Sequence, residues 1–215
     1  MKVEVHGKTI DIEPNSKPYL LKRIIADGFD TALVFVLFML FVSLLMQSSL
    51  AGTYRRHFDR YTAIETETRA ACGDDAAAVT DALNGNREYL DERFAAELHG
   101  YLLKALAGYL ATFPILLAVP LLNKNRATPG KLMTGVMPFN ERKQSRAVWY
   151  QILFRFLFIF LFDCLGFYLL TGIWTFVLVP VIRLTVILLS RKDKTICDMA
   201  TGIMVIEKLS YNGIN

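Results

Sequence analysis

The sequence predicts an all-α polytopic membrane protein with four transmembrane helices, arranged as two parallel two-helix repeats, and with short cytoplasmic β-like segments. The first observation is composition, since 53% of the 215 residues are hydrophobic and 15 are Phe. The second is that apolar segments reach the length of about 20 residues that a helix needs to cross a bilayer core. The third is an internal repeat that joins the second and fourth apolar segments.

The apolar segments divide the chain into eight ranges. The apolar run that starts at Trp149 is twice as long as one crossing needs, so we expect a turn at Thr171-Gly172 between two spans. A re-entrant pair in place of the third and fourth spans is the structural alternative. The ranges are 1–18 (cytoplasmic amino-terminal segment), 19–46 (first span), 47–98 (extracytoplasmic helical region), 99–122 (second span), 123–148 (basic cytoplasmic loop), 149–170 (third span), 173–190 (fourth span) and 191–215 (cytoplasmic carboxy-terminal segment).

The distribution of charge predicts the orientation. Residues 123–148 contain six Lys or Arg and one acid, Glu141, whereas residues 47–98 contain ten acidic and six basic residues. Short basic loops are retained on the cytoplasmic side of a membrane. We therefore expect both termini to be cytoplasmic and the acidic region to lie outside.

Two polar regions carry signals of local structure. The region 47–98 is predicted to be helical, with an Ala-rich helix that ends at Asn84-Gly85 and with Asn86 capping the next helix. That next helix is expected to continue into the second span and to carry Leu90, Phe94, Leu98 and Leu102 on one face. Near the amino terminus, alternation of apolar and polar residues around Gly7 indicates a β-hairpin.

Three charges enter the first span on one stripe. Arg23, Asp27 and Asp30 lie within about 60° of one another on a helix of 3.6 residues per turn. A charge at the bilayer centre costs about 2.5 to 3.5 kcal/mol on insertion scales. The stripe should therefore face the interior of a helix bundle.

Further charges in the second half of the chain fall at comparable depth. Counted from the cytoplasmic ends of the spans, Arg23, Arg155 and Arg183 form a layer just inside the membrane, and the carboxylates of Asp27, Asp30 and Asp163 lie deeper. Three arginines thus balance three aspartates. We expect these six residues to form a charge cluster.

The repeat matches residues 121–137 with residues 188–204 at an offset of 67. In each copy a span leads into a basic turn, a Thr, a short segment, and then Thr-Gly before a β-like run. One difference is informative, because Lys131 in the first copy corresponds to Asp198 in the second. Opposite charges at equivalent positions could pair across a pseudo-twofold axis along the membrane normal, or both could be solvated at the membrane surface.

These motifs together resemble the RDD family of bacterial membrane proteins, from about Tyr19 to Glu207. The family is named for one arginine and two aspartates, and the resemblance places them at Arg23, Asp30 and Asp198. Region 47–98 is longer than the family pattern leads us to expect, and Asp27 is absent from that pattern. The motif residues carried over are Arg23, Asp30, Gly130, Lys131, Gly135, Asp198 and Gly202.

The resemblance implies a multi-pass protein of the bacterial plasma (inner) membrane that takes part in transport, with cation–proton exchange in some members and accessory roles in others. One hypothesis is that Asp30 is a protonatable ion site whose charge the arginines stabilise. The structural interpretation is that Arg23 and Asp30 are a buried pair that fixes helix register, with Arg183 reaching toward the interface. A different hypothesis is a non-catalytic accessory or scaffold subunit that docks a partner, or a second copy, through residues 47–98 or docks a partner through the cytoplasmic basic surface.

Other classes of function lack their signatures in the sequence. No hydrolytic or redox constellation and no phosphate-binding loop is present, so we expect neither an enzyme nor a cofactor. The three Cys and three His have no ligand spacing, so we expect neither a metal site nor a disulfide framework. The basic residues cluster beside the spans, which predicts the lipid bilayer and not nucleic acid as a partner.

Overall fold

The computed structural model describes residues 2–5, 8–11, 17–73, 75–140, 142–143, 145–168, 172–189 and 194–207. The chain forms two compact units, one from residues 1–38 and 108–215 and the other from residues 39–107. Two long helices contribute to both units. They are α1, Lys17–Gln47, and α4, Arg87–Leu122.

Helix α1 turns its polar stripe toward the protein. Arg23, Ala26, Asp30, Val34 and Phe38 are all buried and recur every three or four residues, which is the spacing of one helix face. The remaining faces carry exposed apolar residues, as expected of a helix that meets lipid. The predicted inward orientation of the stripe is therefore seen in the structure.

Helix α4 begins in the polar region and continues without a break into the second apolar segment, as the sequence indicates. Its part Phe113–Ala118 is π-helical and begins one residue before Pro114. Proline removes a backbone hydrogen bond, and a π-helical turn lets the surrounding helix continue past that gap. Pro114 thus lies where the helix widens to π-helical pitch, Pro120 lies in the α-helical turn that follows, and neither proline ends the helix.

In the residues that the structure describes, the apolar run after Trp149 contains two helices. The first, α6, is Trp149–Phe158 and is extended by a π-helical stretch, Ile159–Phe167. The second, α7, is Thr175–Leu189 and follows a single 3₁₀ turn. Within the described residues, two helices, Leu20–Gln47 and Arg87–Leu122, are long and apolar enough to cross a membrane, and the helices after Trp149 are shorter.

The two copies of the repeat have nearly the same local structure. Each contains a six-residue helix, α5 (Pro129–Thr134) in the first copy and α8 (Ile196–Thr201) in the second. Gly135 and Gly202 end these helices in the left-handed region, with φ of 70° and 66°. A left-handed residue after a helix is favourable for glycine because it has no Cβ. The short segments that the repeat matches therefore share one backbone conformation, a six-residue helix that ends at a left-handed glycine.

The strands that follow these helices pair with each other. Strand β3, Val136–Asn140, lies antiparallel to β5, Ile203–Glu207, with Pro138 directly opposite Val205. These two residues are also equivalent under the offset of 67, so a local twofold axis passes between them. The short strand β4, Ser145–Arg146, lies on the other edge of β3.

Apolar clusters hold these elements together. Ile203 of β5 packs with Leu117, Ala147, Ile152 and Phe156, which lie on or beside α4 and α6. Ala26 of α1 packs with the first residue of β3 and the middle of β5. The sheet thus supports the inward face of α1 at the level of the charged stripe. At the amino terminus, strands β1 (Lys2–Val5) and β2 (Lys8–Asp11) form the predicted hairpin.

The second unit is helical, as predicted for the polar region. It contains α2 (Gly52–Cys72), α3 (Ala76–Gly85) and the start of α4. Asn86 Oδ1 accepts a hydrogen bond from Tyr89 N at 3.1 Å and so caps α4, as the sequence indicates. Arg60 and Glu88 form an ion pair between α2 and α4, and Ile64 packs in an apolar cluster with residues of α3 and α4.

Candidate functional site

The charged stripe of α1 meets both short helices of the repeat. Arg23 and Asp30 are buried on α1, and Lys131 and Asp198 are buried on α5 and α8. Asp27 is the partly exposed acid of the stripe. These five residues divide into two half-sites, one centred on Asp198 and one on Lys131.

In the first half-site, two arginines flank Asp198. Arg23 donates a hydrogen bond to its Oδ2, and Arg155 Nη2 of α6 lies 3.2 Å from its Oδ1. Thr195 N also donates to Oδ2, at 3.2 Å, while Thr195 Oγ1 accepts from Asp198 N at 3.0 Å. This reciprocal cap fixes the carboxylate at the start of α8.

The electrostatic balance keeps Asp198 ionised. Burial raises the pKa of the Asp198 carboxyl, but Arg155, Arg23 and the hydrogen bond with Thr195 outweigh it and hold that pKa below its usual value. An arginine stays protonated in proteins. The half-site is therefore a fixed ion triad that ties α1 and α6 to α8.

In the second half-site, Asp30 accepts hydrogen bonds from the start of α5. Thr128 Oγ1 donates to Asp30 Oδ2, and Gly130 N donates to Asp30 Oδ1 at 2.7 Å. The approach requires glycine, since a Cβ at position 130 would lie 2.2 Å from the carbonyl oxygen of Ala26. Asp30 thus occupies the position at which α5 docks on α1.

Lys131 lies between the two acids of the stripe. Its Nζ is 2.9 Å from Asp27 Oδ1, 3.7 Å from Asp30 Oδ2 and 3.5 Å from Thr128 Oγ1. The Lys131 side chain is 4% exposed, whereas that of Asp27 is 26% exposed. An ammonium group therefore occupies a cage of oxygens that opens on the side of Asp27.

Two pairings that the sequence offered as alternatives differ from the contacts in the structure. Arg23 contacts Asp198 and not Asp30, because seven residues separate Arg23 from Asp30 and place them about 10 Å apart along the helix axis. Lys131 contacts Asp27 and Asp30 and not Asp198, because both copies of the repeat contact α1, Lys131 through these two acids and Asp198 through Arg23. The pseudo-symmetry thus relates two half-sites of opposite charge.

The other expected residues are placed as follows. Arg155 joins the cluster through Asp198. Arg183 lies half-buried on α7. Asp163 belongs to the π-helical stretch after α6, and its side chain lies outside the described residues.

Sequence reasoning missed several residues that build the site. Thr195 had a signal, since Thr-x-x-Asp at residues 195–198 is the spacing of a capping box. Thr128 occupies the equivalent position, but its hydroxyl group donates to Asp30 and does not cap α5. Gln151 links α6 to α8 by donating from Nε2 to the carbonyl oxygen of Thr201 at 2.9 Å, and no local pattern announces this contact.

Carboxylate, hydroxyl and ammonium groups give the site the means to hold a cation or to move a proton. In the described part of the chain, no group of three His, Cys, Asp or Glu side chains is arranged to hold a metal ion. Each acid of the two half-sites instead faces a basic side chain. The site is thus built on charge balance.

Three comparisons with known proteins bear on the family. The comparisons with curated proteins and with solved structures give no match. The model of the RDD family matches residues 17–202, a range that includes α1, both short helices and all the charged residues of the two half-sites. The chain belongs to the RDD family and is, as its apolar helices indicate, a membrane protein.

Proposed function

We propose that this protein is a non-enzymatic, multi-pass protein of the bacterial plasma membrane that exchanges a proton for a cation at Asp27, Asp30 and Lys131. The proposal includes four membrane spans and cytoplasmic location of both termini. One observation carries it: a buried ammonium group occupies an oxygen cage of which one carboxylate, Asp27, reaches the exterior.

The chemistry of exchange follows from the charge balance. Hard cations prefer carboxylate and hydroxyl oxygens, which are the groups that surround Lys131 Nζ. A monovalent cation such as Na⁺ could replace the ammonium group without adding charge if Lys131 releases its proton. One cation bound then corresponds to one proton released, and reprotonation of Lys131 expels the cation.

The half-site around Asp198 has a different part in this proposal. Its arginines keep their protons, so the triad holds a constant charge during exchange. Asp30, which the sequence favoured as the ion site, binds α5 through both of its oxygens. Asp27 is therefore the acid best placed to receive the cation.

Flux measurements in proteoliposomes test this proposal. Asp27→Asn should lower proton-coupled Na⁺ flux at least tenfold while the protein still inserts and purifies as a folded species. The exposed acid Asp59 offers a matched control, since Asp59→Asn removes the same charge at an exposed position on α2 that is not part of the cage and should leave flux unchanged. Undiminished flux in Asp27→Asn would contradict the exchange site.

A second candidate function is that of an accessory subunit. The residues Leu90, Phe94, Leu98 and Leu102 form the predicted stripe on α4, and all four are exposed. Leu102 lies within the predicted second span, whereas Leu90, Phe94 and Leu98 precede it, and exposed apolar residues outside a bilayer are typical of a protein contact. This stripe favours a partner or a second copy on the region 47–98.

Co-purification from native membranes tests the subunit role. A partner bound through the stripe should be lost from Phe94→Glu and retained in Arg93→Glu, which changes a neighbouring polar position. Recovery of the unaltered protein as a monomer under mild detergent would contradict the role.

A further inference from the structure

Helices α5 and α8 have the reverse of the burial pattern usual for a helix at a protein surface. Their buried residues include Lys131 and Asp198, while their exposed residues include Leu132, Met133 and Met199. Met133 is 70% exposed and Met199 is 51% exposed. Each helix thus turns charge toward the protein and apolar side chains away from it.

The repeat shows the same outer surface twice. Leu132 and Met199 are equivalent under the offset of 67, as are Met133 and Ala200, and all four are exposed. A helix exposed to water carries polar residues on its outer face. Two equivalent helices with apolar outer faces therefore indicate an apolar surrounding.

Residues near α5 and α8 indicate which apolar environment the two helices contact. The last residues of α4 and α7, Leu122 and Leu189, are strongly exposed, so these helices present apolar surface at the ends that precede α5 and α8 along the chain. Trp149 is exposed at the start of α6, and Trp is enriched at membrane interfaces. The exposed cations Lys124, Arg142 and Lys143 lie in the same basic loop. Apolar surface beside basic residues complements a leaflet of anionic lipid.

We infer that α5 and α8 lie in the headgroup–acyl boundary of the cytoplasmic leaflet, with Leu132, Met133, Ile196 and Met199 in contact with acyl chains. The partner is the anionic lipid surface itself. The expectation that these segments are solvated cytoplasmic chain is replaced by one in which lipid covers their outer faces. Lys131 and Asp198 are then shielded from water by the two helices that supply them, while Asp27 remains the partly exposed acid of the cluster.

Spin labels measure this arrangement in the full-length protein. Single cysteines replace Met133 and Met199 in a background in which the native cysteines are Ala, and each labelled protein is reconstituted into vesicles of phosphatidylcholine and phosphatidylglycerol. Collision with oxygen reports contact with lipid, and collision with a water-soluble nickel complex reports contact with water. Lys143→Cys, on the exposed basic turn, is the matched aqueous control, and Met204→Cys, on buried β5, is the matched internal control.

We expect both test labels to collide with oxygen at least five times more effectively, relative to the nickel complex, than the label at position 143. Collision with the nickel complex as frequent as at position 143 would overturn the inference in favour of a solvated surface. Spin–spin broadening between molecules, together with protection from both reagents, would overturn it in favour of a second copy of the chain. Behaviour like that of the label at position 204 would show that protein covers the helices.

Discussion

At the scale of single residues, Gly130 determines how closely α5 approaches α1. Substitution by Ala would place a Cβ 2.2 Å from the backbone oxygen of Ala26. Moving α5 away from α1 to relieve this contact would lengthen the hydrogen bonds that Thr128 and Gly130 donate to Asp30. We expect Gly130→Ala to destabilise the protein by about 2 to 4 kcal/mol, in the range of severe overpacking in a core.

Thermal unfolding of the purified protein in detergent measures this effect. Gly28→Ala, on the facing helix α1, is the matched control, because a Cβ at Gly28 meets no atom within 4 Å apart from its chain neighbours and the adjoining backbone of its own helix. Alanine is the better helix former, so Gly28→Ala should leave the melting temperature unchanged or raise it. Equal melting temperatures for the unaltered protein and Gly130→Ala would contradict the close approach.

The ion triad gives a second prediction at this scale. Asp198→Asn removes the buried acid that Arg23 and Arg155 share and so breaks both ion pairs, and we expect a loss of about 3 to 5 kcal/mol of folding stability at pH 7. The pKa of Asp198 is lower in the folded protein than its usual value, so its contribution is complete above that usual value. The contribution is lost as the pH falls below about 4, through the usual pKa toward the folded one.

Melting temperatures at pH 7 and pH 3 test this dependence. The difference between Asp198→Asn and the unaltered protein should be large at pH 7 and smaller at pH 3. Asp59→Asn, at an exposed position, should change neither value. A difference independent of pH would mean that the asparagine acts through shape and not through charge.

At the scale of elements, the two copies of the repeat should respond alike to the same change. Gly135 and Gly202 both adopt left-handed φ at the ends of α5 and α8. An Ala at either position costs about 1 to 2 kcal/mol because its Cβ meets the following carbonyl oxygen. We expect Gly135→Ala and Gly202→Ala to lower the melting temperature by similar amounts, and a loss confined to one copy would contradict their equivalence.

The sequence was informative about elements whose signals are local. The cap at Asn86, the hairpin around residues 2–11 and the two similar segments of the repeat all follow from neighbouring residues, and the structure contains each of them. The inward face of α1 also follows, because charge in an apolar helix must avoid lipid. Each of these features depends on spacing within one element.

Partners between distant segments could not be predicted in the same way. Arg23 and Asp198 lie 175 residues apart, and either of two other nearby acids would satisfy an arginine equally well on charge alone. The position of α8 decides the pairing, and that position depends on β5 lying against β3. The sequence likewise did not predict that the outer faces of α5 and α8 are apolar. A short helix usually buries its apolar residues and exposes its charges, whereas here Lys131 and Asp198 are buried.

At the scale of the whole molecule, the number of membrane crossings depends on the lengths of the helices that follow Trp149. At 1.5 Å per residue, the 15 residues of α7 extend about 22 Å, which is less than the thickness of about 30 Å of a hydrocarbon core. Four complete crossings therefore require residues beyond α7 or a thinner local bilayer. A re-entrant pair formed by α6 and α7 would avoid this requirement.

Labelling of single cysteines distinguishes these arrangements. In intact cells whose protein lacks its native cysteines, an impermeant maleimide should react at Arg69→Cys, in the outer region, and at Trp174→Cys, in the exposed turn before α7. Lys143→Cys should react only after the membrane is opened, because the positive-inside rule retains the basic loop in the cytoplasm. Four spans require positions 69 and 174 to lie on the same side, since an even number of crossings separates them. A re-entrant pair would bury position 174 in the membrane, and the label there would then fail to react both before and after opening.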